Sequence, residues 1–185
     1  MLAVKGISAP TAARRGFTAI ELMSAIAIVC ILLAIGIPSF ASLIRSQRLT
    51  VASNMLFAAA GLARSEAVHR GRRVDLVPAG EHADWRDGWL VFVDENNNQR
   101  VDAGETVVRR YPAVDRDMRI IASFTDSKVQ YVAFTGSGRT RTNASSQTAQ
   151  SGNWRLELGD QSRKIVINFL GRPRVCNPDR EPETC

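Results

Sequence analysis

The chain has 185 residues, 24 Lys and Arg against 18 Asp and Glu, and a formal net charge of +6. That length holds one small domain beside a long helix, and little more. No phosphate-cradling glycine loop and no metal-ligand spacing occurs, and His69 and His82 have no evident nucleophile partner. An enzyme, a metal site and a cofactor are therefore not expected.

The first stretch is basic: Lys5, Arg14 and Arg15 supply three of the six net charges, so the rest of the chain is only mildly basic. Leu22 to Ile44 then contains no charged residue, enough for a helix crossing a hydrocarbon core of about 30 Å. Glu21 stands alone at the head of this run. A carboxylate there is costly in lipid and needs either a partner or a route to the interface. One helix is predicted from Phe17 to about Arg70, interrupted by Gly36 and Pro38. Past Arg45 it becomes amphipathic, with Ile44, Val51, Met55, Ala58, Ala59 and Leu62 expected on the buried stripe. Gly71 is a stop, with Arg70, Arg72 and Arg73 near the negative end of the helix dipole.

Arg14-Arg15-Gly16-Phe17-Thr18-Ala19-Ile20-Glu21 resembles the processing site of type IV prepilins and type II secretion pseudopilins. The shared features are a short basic leader, a glycine, an aromatic residue, and a glutamate at the fifth position after the glycine. An ordinary secretory signal has an apolar region of about 7–15 residues that is removed on cleavage. Here the run is longer and the matching cut precedes it. The resemblance implies cleavage after Gly16 by a prepilin peptidase and N-methylation of Phe17, the helix staying on the mature protein. It also implies that Glu21 pairs with the α-amino group of a neighbouring processed subunit during filament assembly. Major and other minor pilins would be the partners, and the bacterial inner membrane the site of storage. The C-terminal domain would be periplasmic, reaching the cell surface in the pilus.

After Gly71 short β-type runs alternate with turn residues. Expected strands are Arg73–Val77, Gly88–Val93, Thr106–Tyr111, Met118–Ile121, Val129–Phe134, Trp154–Leu158 and Lys164–Leu170, the last two forming a hairpin around 159–162. Gly136 to Gly152 reads as a long mobile polar loop. The fold class is α+β: a long N-terminal helix packed on antiparallel sheet, with segments 1–16 (leader), 17–44 (membrane half), 45–71 (amphipathic half) and 72–185 (β-rich domain). Ala63-Arg64-Ser65-Glu66-Ala67-Val68 and Trp85-x-x-Gly88-Trp89-x-Val91-Phe92-x-Asp94 narrow the resemblance to the GspH/FimT branch of minor pilins and pseudopilins. The tryptophans bury a large apolar area in a small domain.

Asp94, Asn96, Asn98, Asp102 and Glu105 fall at the oxygen-ligand spacings of a calcium loop. The sixth position, however, is Gln99 where glycine is needed, and the flanks read as strands. An Asx-rich hairpin loop accounts for the same residues. Cys30 lies in the apolar run as a small hydrophobe. Cys176 and Cys185, nine apart, are expected to form a disulfide outside the cytoplasm.

Charge is unevenly spread. Arg139 to Arg174 holds seven bases and two acids, whereas Asp84 to Asp117 holds five bases and eight acids. In the basic part, Gly171-Arg172-Pro173-Arg174 presents two guanidiniums of the kind that grip phosphate in a bidentate fork. The motif resembles the Gly-Arg-x-Arg signature of FimT minor pilins, which bind DNA during natural transformation. That resemblance implies double-stranded DNA as a partner, held through Arg172 and Arg174 on a disulfide-closed loop. Arg139, Arg141, Arg163, Lys164 and Arg180 are auxiliary charges. Salt-dependent phosphate contact, without base readout, is the expected mode. The same residues also suit a structural subunit that primes or caps a filament, and Arg172 and Arg174 could pair with Asp179, Glu181 or Glu183.

Overall fold

A computed structural model describes residues 16–80, 83–126, 130–183 and 185. Lys5, Arg14 and Arg15 of the expected leader lie outside the described residues, as do His82 and Val129. The chain divides into two compact units, up to Ala41 and from Ser42 to Cys185. Helix α1, Ala19–Arg70, starts in the first, passes through Gly36 and Pro38, and ends in the second.

In the first unit the helix is apolar on all sides. Ile20, Met23, Ile31, Leu32, Ile35 and Phe40 are all exposed. A surface of this kind over more than 20 residues suits hydrocarbon rather than water. Its N-terminus is closed by a capping box. The Thr18 N–H and hydroxyl both donate to Glu21 Oε2 at 2.9 Å, and the Glu21 N–H donates to Thr18 Oγ1 at 3.3 Å.

In the second unit α1 buries Leu49, Ala52, Ser53, Leu56, Ala59, Ala60, Ala63 and Ala67. The expected stripe is thus corrected by a rotation about the axis: only Ala59 of that set is buried, while Ile44, Val51 and Ala58 are exposed. The buried face is mostly alanine, with Leu49 and Leu56 as its large members, because alanines let a helix backbone approach closely.

Among the described residues nine strands form two antiparallel sheets: β1 Val74–Pro78, β2 Trp89–Val93, β3 Val107–Tyr111, β4 Arg119–Phe124, β5 Val132–Phe134, β6 Thr140–Arg141, β7 Gly152–Leu158, β8 Gln161–Ile167 and β9 Pro173–Cys176. One sheet runs β3-β2-β1-β5-β6 and the other β4-β7-β8-β9. Alternation along the strands places Val74, Leu76, Val91 and Phe134 from the first, and Trp154, Leu156, Ile165 and Ile167 from the second, in one core with the helix. Trp85, in a short 3-10 turn, meets Trp154 edge-on at 5.2 Å, and Trp89 stacks on Tyr111 at 5.7 Å. The tryptophans are core, as expected.

The strand expectations hold with shifted ends. The β7–β8 hairpin is tighter than expected: Leu158 pairs with Gln161, leaving only Gly159 and Asp160 in the turn. Two strands were not anticipated. β6 has only two residues, and β9 begins at a proline, which belongs on an edge strand and reads in sequence as loop. The expected mobile loop is pinned instead, since Thr140, Thr142 and Gln150 within it are buried. Cys176 and Cys185 form a disulfide. The segment it closes lies along β8, where Asp179 accepts from the Ser162 N–H at 3.0 Å and from its hydroxyl at 3.1 Å.

Candidate functional site

The turn between β8 and β9 is built by Asn168 and Gly171. Asn168 Oδ1 accepts the N–H groups of Leu170 (3.1 Å) and Arg172 (3.0 Å), and its carbonyl accepts the Gly171 N–H at 2.9 Å. Gly171 has φ +72°, a region closed to most side chains. A Cβ there would also lie 2.4 Å from the Gly138 carbonyl oxygen and 3.2 Å from the Phe134 ring. Gly138 is fixed in turn, its carbonyl accepting Arg64 Nε from α1 at 2.9 Å. The Thr140 hydroxyl is shared between the carbonyls of Gln150 and Phe169, the latter at 3.2 Å. Helix, β5–β6 turn and β8–β9 turn are thereby locked at one point.

Arg172 leaves this turn exposed, and among the described residues no carboxylate pairs with its guanidinium. Arg174 is exposed on β9 opposite Val166. Exposed Arg139 follows Gly138, so its backbone starts beside that of Gly171 and Arg172. The remaining expected cations are committed elsewhere or lie apart. Arg163 points to the helix side, donating to the Ser162 carbonyl at 2.7 Å and Ser46 Oγ at 3.3 Å. Lys164 Nζ donates to the Cys185 main-chain oxygen at 2.9 Å. Arg141 donates to the Thr142 carbonyl at 3.1 Å and the Asn143 carbonyl at 3.4 Å, and burial followed by the nearby Arg73 charge lowers its pKa. Arg180 is exposed in the disulfide-closed tail. The disulfide ring begins at Cys176 and so does not enclose Arg172 or Arg174. What fixes the turn is Gly171 and Asn168, not the covalent bond. Asp179, an acid named as a partner for these arginines, accepts from Ser162.

A second charged cluster went unread. Arg73 is held by Asp75 through two bonds of 2.7 and 2.6 Å, by Asp94 at 3.2 Å, and by Asn97 and Asn143 at 2.9 Å each. Tyr131 donates to Asp126 at 2.7 Å and accepts the Asn143 N–H. Burial pushes the Asp75 carboxyl up to about 7 against the pull of Arg73, with the neighbouring Asp94 adding to the rise. The Arg73-x-Asp75 spacing, which sets both side chains on one face of a strand, was the available signal. Asp94 also accepts the N–H groups of Asn98 (3.2 Å) and Gln99 (3.0 Å). Asp102 takes the Asn96 and Asn98 side-chain amides, and Glu105 the backbone of Glu95 and Asp102. Within the 94–105 loop Asp102 and Glu105 bond the loop's own amides and backbone, the Asx-rich arrangement, while Asp94 is shared with Arg73 and Glu95 pairs with Arg72 at 2.8 Å.

Gly16 and Phe17 are exposed ahead of α1, and Glu21 sits in the capping box.

Residues 52–171 match the family model described as Type II transport protein GspH. The pilin-like protein PilA1 of Thermus thermophilus is 37% identical over 94 residues, 50% of this chain and 56% of that protein, so the match spans little more than half of that relative's length. Two crystal forms of the type IV minor pilin FimU of Pseudomonas aeruginosa align with TM-scores of 0.57 and 0.53 at 20% and 21% identity. They cover 72% and 71% of this chain and 92% and 94% of those chains. At that identity the likeness is one of fold.

Proposed function

The chain belongs to the GspH family, and from that premise we propose that this minor pilin or pseudopilin is a type IV minor pilin that binds extracellular double-stranded DNA for uptake. The carrying observation is Arg172: exposed, without a carboxylate partner among the described residues, and on a turn whose backbone is already fixed. A fixed guanidinium loses little conformational freedom on meeting a phosphate. Arg174 lies two residues on, and Arg139 starts from the adjoining turn. Prepilin peptidase cuts after exposed Gly16, and the apolar half of α1 stores the protein in the inner membrane with its globular unit in the periplasm. Glu21 then leaves its bond with Thr18 for the amine of a neighbouring pilin. Phosphate contact explains affinity without sequence preference.

A second reading keeps assembly and drops DNA. Val51, Phe57 and Val68 stay exposed on the helix of the globular unit and give neighbouring pilins an apolar surface. The full chain in zwitterionic nanodiscs, titrated against closed-end duplex DNA at several salt concentrations, separates the two. Binding should weaken with salt, and Arg172→Gln/Arg174→Gln should reduce the log–log slope by roughly 0.9 per lost phosphate contact. If wild type and variant are equally inert at the lowest salt concentration, the DNA reading fails and the assembly subunit becomes the reading.

A further inference from the structure

The apex of the β8–β9 turn carries two apolar side chains in solvent. Phe169 is 53% exposed and Leu170 37%, although Ile167 before them and Gly171 after them are buried. The backbone beneath them is held on both sides. Asn168 Oδ1 takes the N–H groups of Leu170 and Arg172, the Thr140 hydroxyl reaches the Phe169 carbonyl, and Gly171 abuts Gly138. An exposed phenylalanine on a fixed backbone costs solvation in the free protein, and it offers a flat face with only two torsions to order.

Its surroundings say what that face meets. Arg172 is three residues away, at most about 10 Å along the chain, exposed and without a carboxylate partner among the described residues. An exposed apolar ring three residues from an exposed guanidinium, on one fixed turn, matches a nucleotide, which has a flat apolar base next to an anionic phosphate. We propose that Phe169 stacks on a nucleobase whose strand is held by Arg172, so that the site takes an unpaired base and prefers single-stranded or frayed DNA to closed duplex. This rests on the reading of Arg172 and Arg174 as a phosphate grip. The preference follows from base geometry. In a duplex both faces of each base are covered, and opening a step costs a few kcal/mol. A single strand offers the face with no such cost, and sequence matters little because every base has one.

The test uses the full chain in zwitterionic nanodiscs, with oligodeoxythymidine and a closed-end duplex as probes at one salt concentration. The three native tryptophans, Trp85, Trp89 and Trp154, are at most 2% exposed, so an indole introduced by F169W reports the apex. Saturable quenching of F169W emission by oligodeoxythymidine is expected. F169A should lose about tenfold in affinity for that probe, F169Y should restore it, and closed-duplex binding should change less than twofold in both. If F169A binds both probes like wild type while Arg172→Gln/Arg174→Gln weakens both, the grip stands and stacking is overturned. If the arginine variant also binds both probes like wild type, the grip itself fails and stacking falls with it. If F169A keeps its DNA binding but no longer co-assembles with other pilins, the apex is a subunit contact, and the proposal is again overturned.

Discussion

Arg73 and Arg172 carry the same guanidinium into opposite surroundings. Arg73 is buried just before β1, and its bonds run to two carboxylates and two side-chain amides. Burial opposes its charge, but Asp75 and Asp94 more than restore it, leaving its pKa above the ordinary value. Arg172 is exposed on a turn that is itself held rigidly. One arginine is spent on structure, joining β1, the 94–105 loop and the segment around Asn143. The other is held in place by structure and left for something outside. A cation's number of partners, rather than its position in a basic stretch, separates the two roles.

The largest effect should come from removing the spent one. Arg73→Ala leaves Asp75 and Asp94 buried without their cation, and breaking one side of such a group typically costs about 3–5 kcal/mol. Urea unfolding of the unit Ser42–Cys185 should show that loss, whereas Arg172→Gln should fall within about 0.5 kcal/mol of wild type. Comparable losses for both would erase the distinction.

The same cluster predicts a dependence on pH. Asp75 titrates near 7 in the folded protein, against an ordinary value of 3.8. Between those values the folded state holds a proton that the unfolded chain has released. The Asp75 contribution is therefore greatest below about pH 4 and is lost as pH rises toward 7, with no further change above. At 1.36 kcal/mol per unit, the loss has an upper bound of about 4 kcal/mol. The measurement is the difference in urea midpoint between wild type and Asp75→Asn from pH 4 to 8. A difference that does not change with pH would place the Asp75 carboxylate at an ordinary pKa.

Much of the fold is legible in the sequence because its signals are local. The uncharged run after Glu21, the buried tryptophans and the β7–β8 hairpin each announce themselves within about 20 residues. What escapes is set by contact between distant segments. The expected helix stripe shares only Ala59 with the buried face, which the packing of the sheets turns toward Leu49, Ala52, Leu56, Ala60 and Ala63. β9 hides behind Pro173 because an edge strand tolerates what a central one does not. At the candidate site, Arg172 and Arg174 were visible as a motif, but the commitments of Arg163, Lys164 and Arg141 were not. Their partners Ser46 and Cys185 lie far off in sequence, and the Thr142 and Asn143 carbonyls depend on how a long loop is pinned. The network around Arg73 required Asp94 and Asn143 to arrive from 21 and 70 residues away.

Gly171 gives Arg172 its fixed base. Gly171→Ala must place a methyl group at positive φ and 2.4 Å from the Gly138 carbonyl. Positive φ alone costs an alanine about 1 kcal/mol or more, and relieving the clash means moving the β5–β6 turn off the Arg64 bond or opening the β8–β9 turn. A loss of roughly 1–3 kcal/mol is expected, smaller than at Arg73 because the turn lies at the surface and can shift. The informative readout is DNA affinity under conditions where the variant is still folded. Arg172 and Arg174 remain in the sequence, so a grip that depended only on charge would keep its affinity. If fixed backbone geometry is what makes Arg172 useful, affinity drops at unchanged salt slope, because the same phosphates are met by a looser pair. Unchanged affinity in a folded Gly171→Ala would show that the rigid turn serves the fold alone.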